Sequence, residues 1–197
     1  MSNWEVVAEH MSEANPVELG SESSTLFYTN PTKLLNMLSY YKFAAKMIGR
    51  QKRVLDLHCR EGIGSYILSK ECGHVKGVDS NSLAVASATK NFGDHDLLFS
   101  TNCSYDPLTE GFYDALVCFD AESWKTCLPL LKPEGLAILG TGTSSHSLKS
   151  AICHYFHNAF IFVANGEVIH AGSPDFAEYV IGIGCHKKHQ TDKVKWI

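Results

Sequence analysis

Two aspartates and a glycine-bearing segment are spaced as nucleotide chemistry requires. Asp56 sits near the end of the apolar run Val54-Leu55-Asp56-Leu57, and His58-Cys59-Arg60-Glu61-Gly62-Ile63-Gly64-Ser65 follows. Roughly twenty residues further on, a second apolar run ends in Val78-Asp79. A carboxylate at the end of such a run can accept two hydrogen bonds from the vicinal diol of a ribose. Glycine in the preceding segment lets backbone approach a ligand closely. Each acid also has a plainer role open to it. Asp56 either holds a ligand-binding loop or an amino group, or caps nearby amides. Asp79 either binds ribose or caps the helix that begins at Ser82.

Other side chains carry possible chemistry. Asp120 follows Phe119 at the end of a later apolar run and is a candidate general base for a substrate hydroxyl. Its alternative role is the N-cap of a helix. In Cys153-His154-Tyr155-Phe156-His157, the two histidines are three apart and would share a helix face. Together with His170 they are candidates for lining an acceptor pocket, His154 as a proton acceptor; surface histidines are the default. No acidic third ligand lies nearby in sequence, so no metal centre is expected.

The elements that must position these residues alternate between strand and helix. A helix is predicted over Thr32–Ile48, where Leu34, Leu35, Leu38, Tyr41 and Ala44 recur at helical spacing. Strands are predicted at Arg53–Leu57, Val75–Val78, Leu97–Ser100, Ala115–Phe119 and Leu136–Leu139. Helices are predicted between them at Gly62–Glu71, Ser82–Asn91 (capped by Ser80 or Ser82) and Glu122–Leu131, and after them at Ser147–Asn158. Lys132-Pro133-Glu134-Gly135 reads as a turn. Phe160–Val163, the Asn165-Gly166 turn and Tyr179–Ile183 read as a closing antiparallel edge pair. This order predicts a parallel sheet covered on both faces. Residues 1–31 are polar and read as an arm or lid with little structure of its own; residues 32–197 form the single predicted domain.

Composition narrows the class. The chain has 197 residues, 45% of them apolar and 19% charged, and a net charge of −4. That is a globular balance without a strongly basic nucleic-acid footprint. The seven cysteines include no CxxC pair and read as reduced thiols. No apolar stretch approaches membrane-span length, and the acidic N-terminus has no basic n-region. A cytoplasmic protein without membrane contact is expected, with a homo-oligomer left open.

Taken together, the segments resemble class I S-adenosylmethionine-dependent methyltransferases, in particular a bacterial branch predicted to act on sugars or other small molecules. Val54–Ser65 resembles motif I, and Val78-Asp79 the ribose-acid strand. Phe112-Tyr113-Asp114-Ala115-Leu116-Val117-Cys118-Phe119-Asp120 is similar to the fourth-strand motif. Leu128-Pro129-Leu130-Leu131-Lys132-Pro133-Glu134-Gly135 is similar to the turn before strand five, and Leu38–Met47 resembles the leading helix. The resemblance implies a Rossmann-like α/β fold with a mostly parallel seven-stranded sheet, helices on both faces and the last strand antiparallel. It implies S-adenosylmethionine as cofactor and S-adenosylhomocysteine as product. From motif I and the ribose strand it implies cofactor contacts from Asp56, His58, Cys59, Gly62, Asp79 and Ser80. From the ends of strands three and four it implies contacts from Asn102, Cys103 and Phe119.

The departures are specific. His58 and Arg60 stand where motif I usually has its first two glycines. Asn102 or Cys103 stands where the family often has an acid for the adenine amino group. The implied function is methyl transfer to a small acceptor, such as a sugar hydroxyl, with nucleic acid disfavoured. The alternative is a methyltransferase-like binding or partner protein with weak or no catalysis. A nicotinamide dehydrogenase is weaker still, because G-x-G-x-x-G spacing is absent from Leu57–Ser65.

Overall fold

The structure, a computed structural model, describes residues 17–104, 107–119, 124–142, 145–173 and 177–188. Eight strands form one sheet in the order β3-β2-β1-β4-β5-β8-β6-β7. They are β1 Val54–Leu57, β2 Val75–Val78, β3 Leu97–Ser100, β4 Tyr113–Cys118, β5 Leu131–Thr141, β6 Phe156–Asn165, β7 Val168–His170 and β8 Tyr179–Lys187. The helices are α1 Ser21–Thr29, α2 Pro31–Ile48, α3 Ile63–Cys72, α4 Ser82–Phe92, the short α5 Pro107–Glu110 and α6 Ser145–Tyr155, with a 3-10 helix at Trp124–Leu130.

β1 is central because every side chain in it is buried. It pairs in parallel with β2 on one side and β4 on the other, Val54 facing Val75 and Ala115. Its alternate residues feed two cores. Leu55 and Leu57 join Trp124, Ile152 and Phe156 on one face; Val54 joins Tyr41, Ala44, Leu68 and Ile138 on the other. Strands buried on both faces read as apolar runs, which explains the Val/Leu-rich segments.

α2 begins at Pro31, a residue suited to a first helical position, and the Asn30 side chain accepts from the Lys33 amide at 3.0 Å. It ends at Gly49 in the left-handed region, φ 79°. α4 is capped by Asn81, whose Oδ1 accepts from Leu83 N–H (3.0 Å) and Ala84 N–H (3.3 Å), rather than by Ser80 or Ser82.

Several expectations are corrected. The sheet has eight strands, not seven, because the Asn165-Gly166 turn folds Val168–His170 back onto β6 as an edge strand. β8 is not at the edge: it inserts antiparallel between β5 and β6. Helix Ser147–Asn158 starts and stops earlier, since Phe156 already pairs with Lys187 in the sheet. Glu122–Leu131 contains the 3-10 helix Trp124–Leu130; Pro129 inside it cannot donate an α-helical hydrogen bond. Lys132–Gly135 is an irregular stretch within β5, between its Tyr113–Leu131 and Ala115–Leu136 pairings. Residues 21–29 of the supposed arm are helical.

Candidate functional site

In an open α/β sheet, ligands bind beyond the carboxyl ends of strands where the order reverses, here between β1 and β4. The loop from β1 to α3 occupies that place. Cys59 N–H extends the sheet pairing by donating to Val78 O at 3.1 Å, and Gly62 N–H closes a turn onto Cys59 O at 3.0 Å. Arg60 N–H donates to Asp79 Oδ2 at 2.9 Å, while Asn81 N–H donates to Asp79 Oδ1 at 2.9 Å. Asp79, buried at the end of β2, thus fixes both the loop and the entry to α4.

Three loop residues have left-handed backbone: His58 (φ 56°), Arg60 (φ 53°) and Gly62 (φ 83°). Non-glycine residues occupy this region at a cost on the order of 1 kcal/mol, and persist there when surrounding bonds dictate it. The Asp79 and Val78 contacts do so here. Gly62 has a second constraint, since a Cβ there would lie 2.7 Å from the Ala88 Cβ and 2.8 Å from the Phe99 ring.

Asp56 lies behind the loop, fully buried. Its carboxylate accepts from the Ser65 hydroxyl at 2.6 Å and the Tyr41 hydroxyl at 3.3 Å. Burial raises its pKa to about 7, against the lowering effect of those two hydrogen bonds. Burial first, and the Asp56 charge second, push the Tyr41 phenol well above its ordinary value. Burial likewise raises the Cys59 thiol, which makes it a poor nucleophile.

Over the loop opens a cavity of about 300 Å³. The loop from His58 to Gly64 forms its floor. Lys33, Asn36, Met37, Tyr40 and Tyr41 of α2 form one wall, and Glu22, Ser23 and Leu26 of α1 another. Phe119, Glu178 and Tyr179 complete it. The aromatic rings are mutually packed: Tyr40 stacks on Tyr179 (4.7 Å, 11°), and Phe119 meets Tyr41 edge-on (4.9 Å, 80°). The Tyr179 hydroxyl donates to Phe119 O at 2.6 Å.

Of the residues singled out in sequence, His58, Cys59, Arg60, Gly62 and Phe119 line this cavity. Asp56 and Asp79 are bonded beneath the loop and do not line it. Ser80 is exposed beyond Asp79, and Asn102 is exposed, its carbonyl bonded to the Ser100 hydroxyl. Cys103 is buried in the core with Cys127. His154 is not at the site. It is exposed on the last turn of α6, edge-on to Tyr155 at 4.6 Å, at the amino end of the parallel strands. Neither His157 nor His170 lines the cavity. Asp120 lies outside the described residues. No group of three metal-ligating side chains occurs among the described residues, and no helix there is long and apolar enough to cross a membrane.

Sequence reading missed Lys33, Asn36, Tyr40 and Tyr179 as site residues. The apolar periodicity of α2 marks the helix through Leu34, Leu38, Tyr41 and Ala44, and the 33-36-37-40 face beside it carries no such signal.

No known protein-family profile matches the chain, and no curated protein matches it. Solved structures do. It is similar to a TehB-like SAM-dependent methyltransferase from Corynebacterium glutamicum, with TM-score 0.59, 18% identity, 76% of this chain and 88% of that chain covered. It is similar to the N-methyltransferase NodS from Bradyrhizobium japonicum, with TM-score 0.58, 11% identity, 81% and 99% covered. A third is the tRNA (m1A58) methyltransferase TrmI from Aquifex aeolicus, with TM-score 0.58, 17% identity, 77% and 69% covered. At such identities the likeness shows the fold: an α/β Rossmann-like sheet of the kind found in SAM-dependent methyltransferases.

Proposed function

We propose that this chain binds S-adenosylmethionine at the carboxyl edge of its sheet and transfers the methyl group to a small acceptor. The observation that carries the reading is Asp79: a buried carboxylate ending β2, held by the Arg60 and Asn81 amides beside a left-handed, glycine-tight loop. Each of its oxygens accepts one amide hydrogen; Asp79 does not line the cavity, so a ribose diol would reach its remaining lone pairs from the end of β2, beside the loop. The fold likeness supports the same cofactor, and NodS has also been solved in complex with S-adenosyl-l-homocysteine.

When bound, the cofactor supplies a sulfonium methyl, and its sulfur retains the electron pair of the broken S–C bond. The residues of the chain contribute orientation. Asp56, Ser65 and Tyr41 lock the loop against α2 and α3, and Phe119 and Tyr41 shape the wall where an acceptor would approach. A hydroxyl acceptor must also lose a proton. Asp120, next in sequence to the cavity residue Phe119, is the base we assign. The apolar walls from Leu26, Met37 and Tyr40 and the modest volume suit a small acceptor, such as a sugar hydroxyl, better than a polymer. The net charge of −4 fits nucleic acid poorly. The arm or lid, residues 1–31, contributes α1 to the wall of this space.

One observation favours a second reading. His58, at the first glycine position of the motif, lines the cavity, which suits a protein that binds the cofactor without turnover. A labelled-methyl assay over sugars, small alcohols and small amines separates the two. Label transferred to an acceptor supports catalysis. Cofactor binding without transfer across the panel supports the binding protein.

A further inference from the structure

Among the described residues, five side chains of fixed charge line the cavity: Glu22, Lys33, Arg60, Glu61 and Glu178. Four of them already have protein partners. Arg60 Nη1 lies 2.5 Å from Glu22 Oε1. Glu61 accepts the Glu22 and Ser23 amides, both at 2.9 Å. Glu178 Oε2 accepts from Gly166 N–H at 2.9 Å. The Lys33 ammonium makes no ion pair or hydrogen bond among the described residues, while its backbone N–H is bonded to the Asn30 cap.

Asn36 stands one helical turn on from Lys33, on the same face, and lines the same cavity. Its side-chain amide likewise has no hydrogen-bond partner among the described residues. Met37 and Tyr40 continue the stripe as an apolar surface. An ammonium beside a carboxamide that can present its N–H₂ offers convergent donors that suit a carboxylate, and charge-assisted bonds of this kind are the stronger ones. A cationic ligand would instead compete with the partners already held by Glu22, Glu61 and Glu178.

We propose that Lys33 and Asn36 form a carboxylate-binding subsite, with the body of the ligand lying on Met37 and Tyr40. This rests on the methyl-transfer reading for the identity of the ligand but not for its chemistry. The carboxylate belongs either to the acceptor or to the methionine portion of the cofactor.

The test uses the full chain and three probes of one shape: 3-phenylpropionate, its primary amide and 3-phenylpropylamine. Binding is measured by calorimetry for wild type, Lys33→Met and Asn36→Ala, with and without saturating S-adenosylhomocysteine. That nucleoside is also titrated alone into each variant. The wild type should prefer the acid over the amide and the amine by about tenfold or more. Lys33→Met should remove the preference without lowering the melting temperature, since Lys33 is exposed. If the carboxylate is the acceptor's, the acid binds alongside S-adenosylhomocysteine and the variants keep their nucleoside affinity. If it is the cofactor's, S-adenosylhomocysteine displaces the acid, and Lys33→Met weakens the nucleoside by about tenfold. The subsite is overturned if the amine binds as tightly as the acid, or if Lys33→Met changes neither acid nor nucleoside binding. A wild type that prefers the acid but never binds S-adenosylhomocysteine overturns the cofactor reading and keeps the subsite.

Discussion

The Glu61 carboxylate accepts the Ser23 amide hydrogen at 2.9 Å across 38 positions of sequence. Its other oxygen accepts the Glu22 amide at 2.9 Å, so a residue of the β1–α3 loop caps the first turn of α1. The helix N-terminus favours the negative charge. Gly20 makes the approach possible: a Cβ there would lie 2.1 Å from the Glu61 Cδ. The loop that forms the cavity floor and the helix that walls it are therefore joined mechanically.

Removing that joint should loosen α1. Glu61→Ala deletes the cap, a loss of about 1 kcal/mol locally, and Gly20→Ala disrupts it by collision. Hydrogen exchange of the Ser23 and Glu22 amides should speed up several-fold in both variants, while core strands stay protected. Burial raises the Glu61 pKa, but the Ser23 hydroxyl and the Ser23 and Glu22 amides outweigh it and hold it below its ordinary value. A lowered pKa means that docking is intact at neutral pH and is lost as pH falls through the folded-state value. Acid should therefore accelerate α1 exchange in wild type more than in Glu61→Ala. Equal acid responses would rule out this cap.

The loop should tolerate glycine where it has none and resist alanine where it has glycine. His58→Gly and Arg60→Gly relieve left-handed strain while loosening the unfolded chain, two effects of opposite sign near 1 kcal/mol each. Each should shift stability by less than about 1 kcal/mol in urea denaturation. Gly62→Ala meets both its φ of 83° and the Ala88 and Phe99 side chains, and should cost about 2 kcal/mol or more. A Gly62→Ala variant as stable as wild type would show that the loop geometry is wrong.

Asp56 should leave a signature in the pH dependence of stability. Its folded pKa of about 7 stands above the ordinary 3.8, chiefly through burial. Between those values the folded state holds a proton that the unfolded state has lost, so this group destabilises the fold as pH rises from about 4 to 7. Asp56→Asn removes the effect. The difference between wild type and Asp56→Asn should change by roughly 1–4 kcal/mol across that window, in the direction of relatively lower wild-type stability at pH 7. A difference that stays flat with pH would contradict a buried, proton-holding Asp56.

Much of the fold was legible because β1 and β4 are short apolar runs, and a strand buried on both faces has no other way to appear in sequence. Gly49 and Gly73 likewise mark true helix ends. What failed depended on distant partners. α1 is polar and its cap is Glu61, so no local signal announces it. Val168–His170 is a strand only because β6 is beside it. The insertion of β8 between β5 and β6 is a matter of pairing, which alternation alone does not encode.

The site was legible to a similar depth. The loop with Gly62 and the position of Asp79 at the end of β2 follow from spacing, since the ends of β1 and β2 are local features; of these, the loop lines the cavity and Asp79 does not. The left-handed conformation of His58 and Arg60 ran against residue preference and is imposed by Asp79 and Val78. His154 misled because a histidine pair on a helix face says nothing about which end of the sheet that helix reaches. Lys33 and Tyr179 were invisible because the cavity brings them together from opposite ends of the chain.

The central claim is that Asp79 anchors a nucleoside cofactor. Calorimetric titration of S-adenosylhomocysteine into wild type, Asp79→Asn and Asp79→Ala tests it most directly, with melting curves to show that each variant is folded. The account predicts micromolar binding to wild type, weakened by at least about tenfold in both folded variants as charged acceptor contacts are lost. A folded wild type that binds neither S-adenosylmethionine nor S-adenosylhomocysteine, or an Asp79→Ala variant that binds as tightly as wild type, would contradict it.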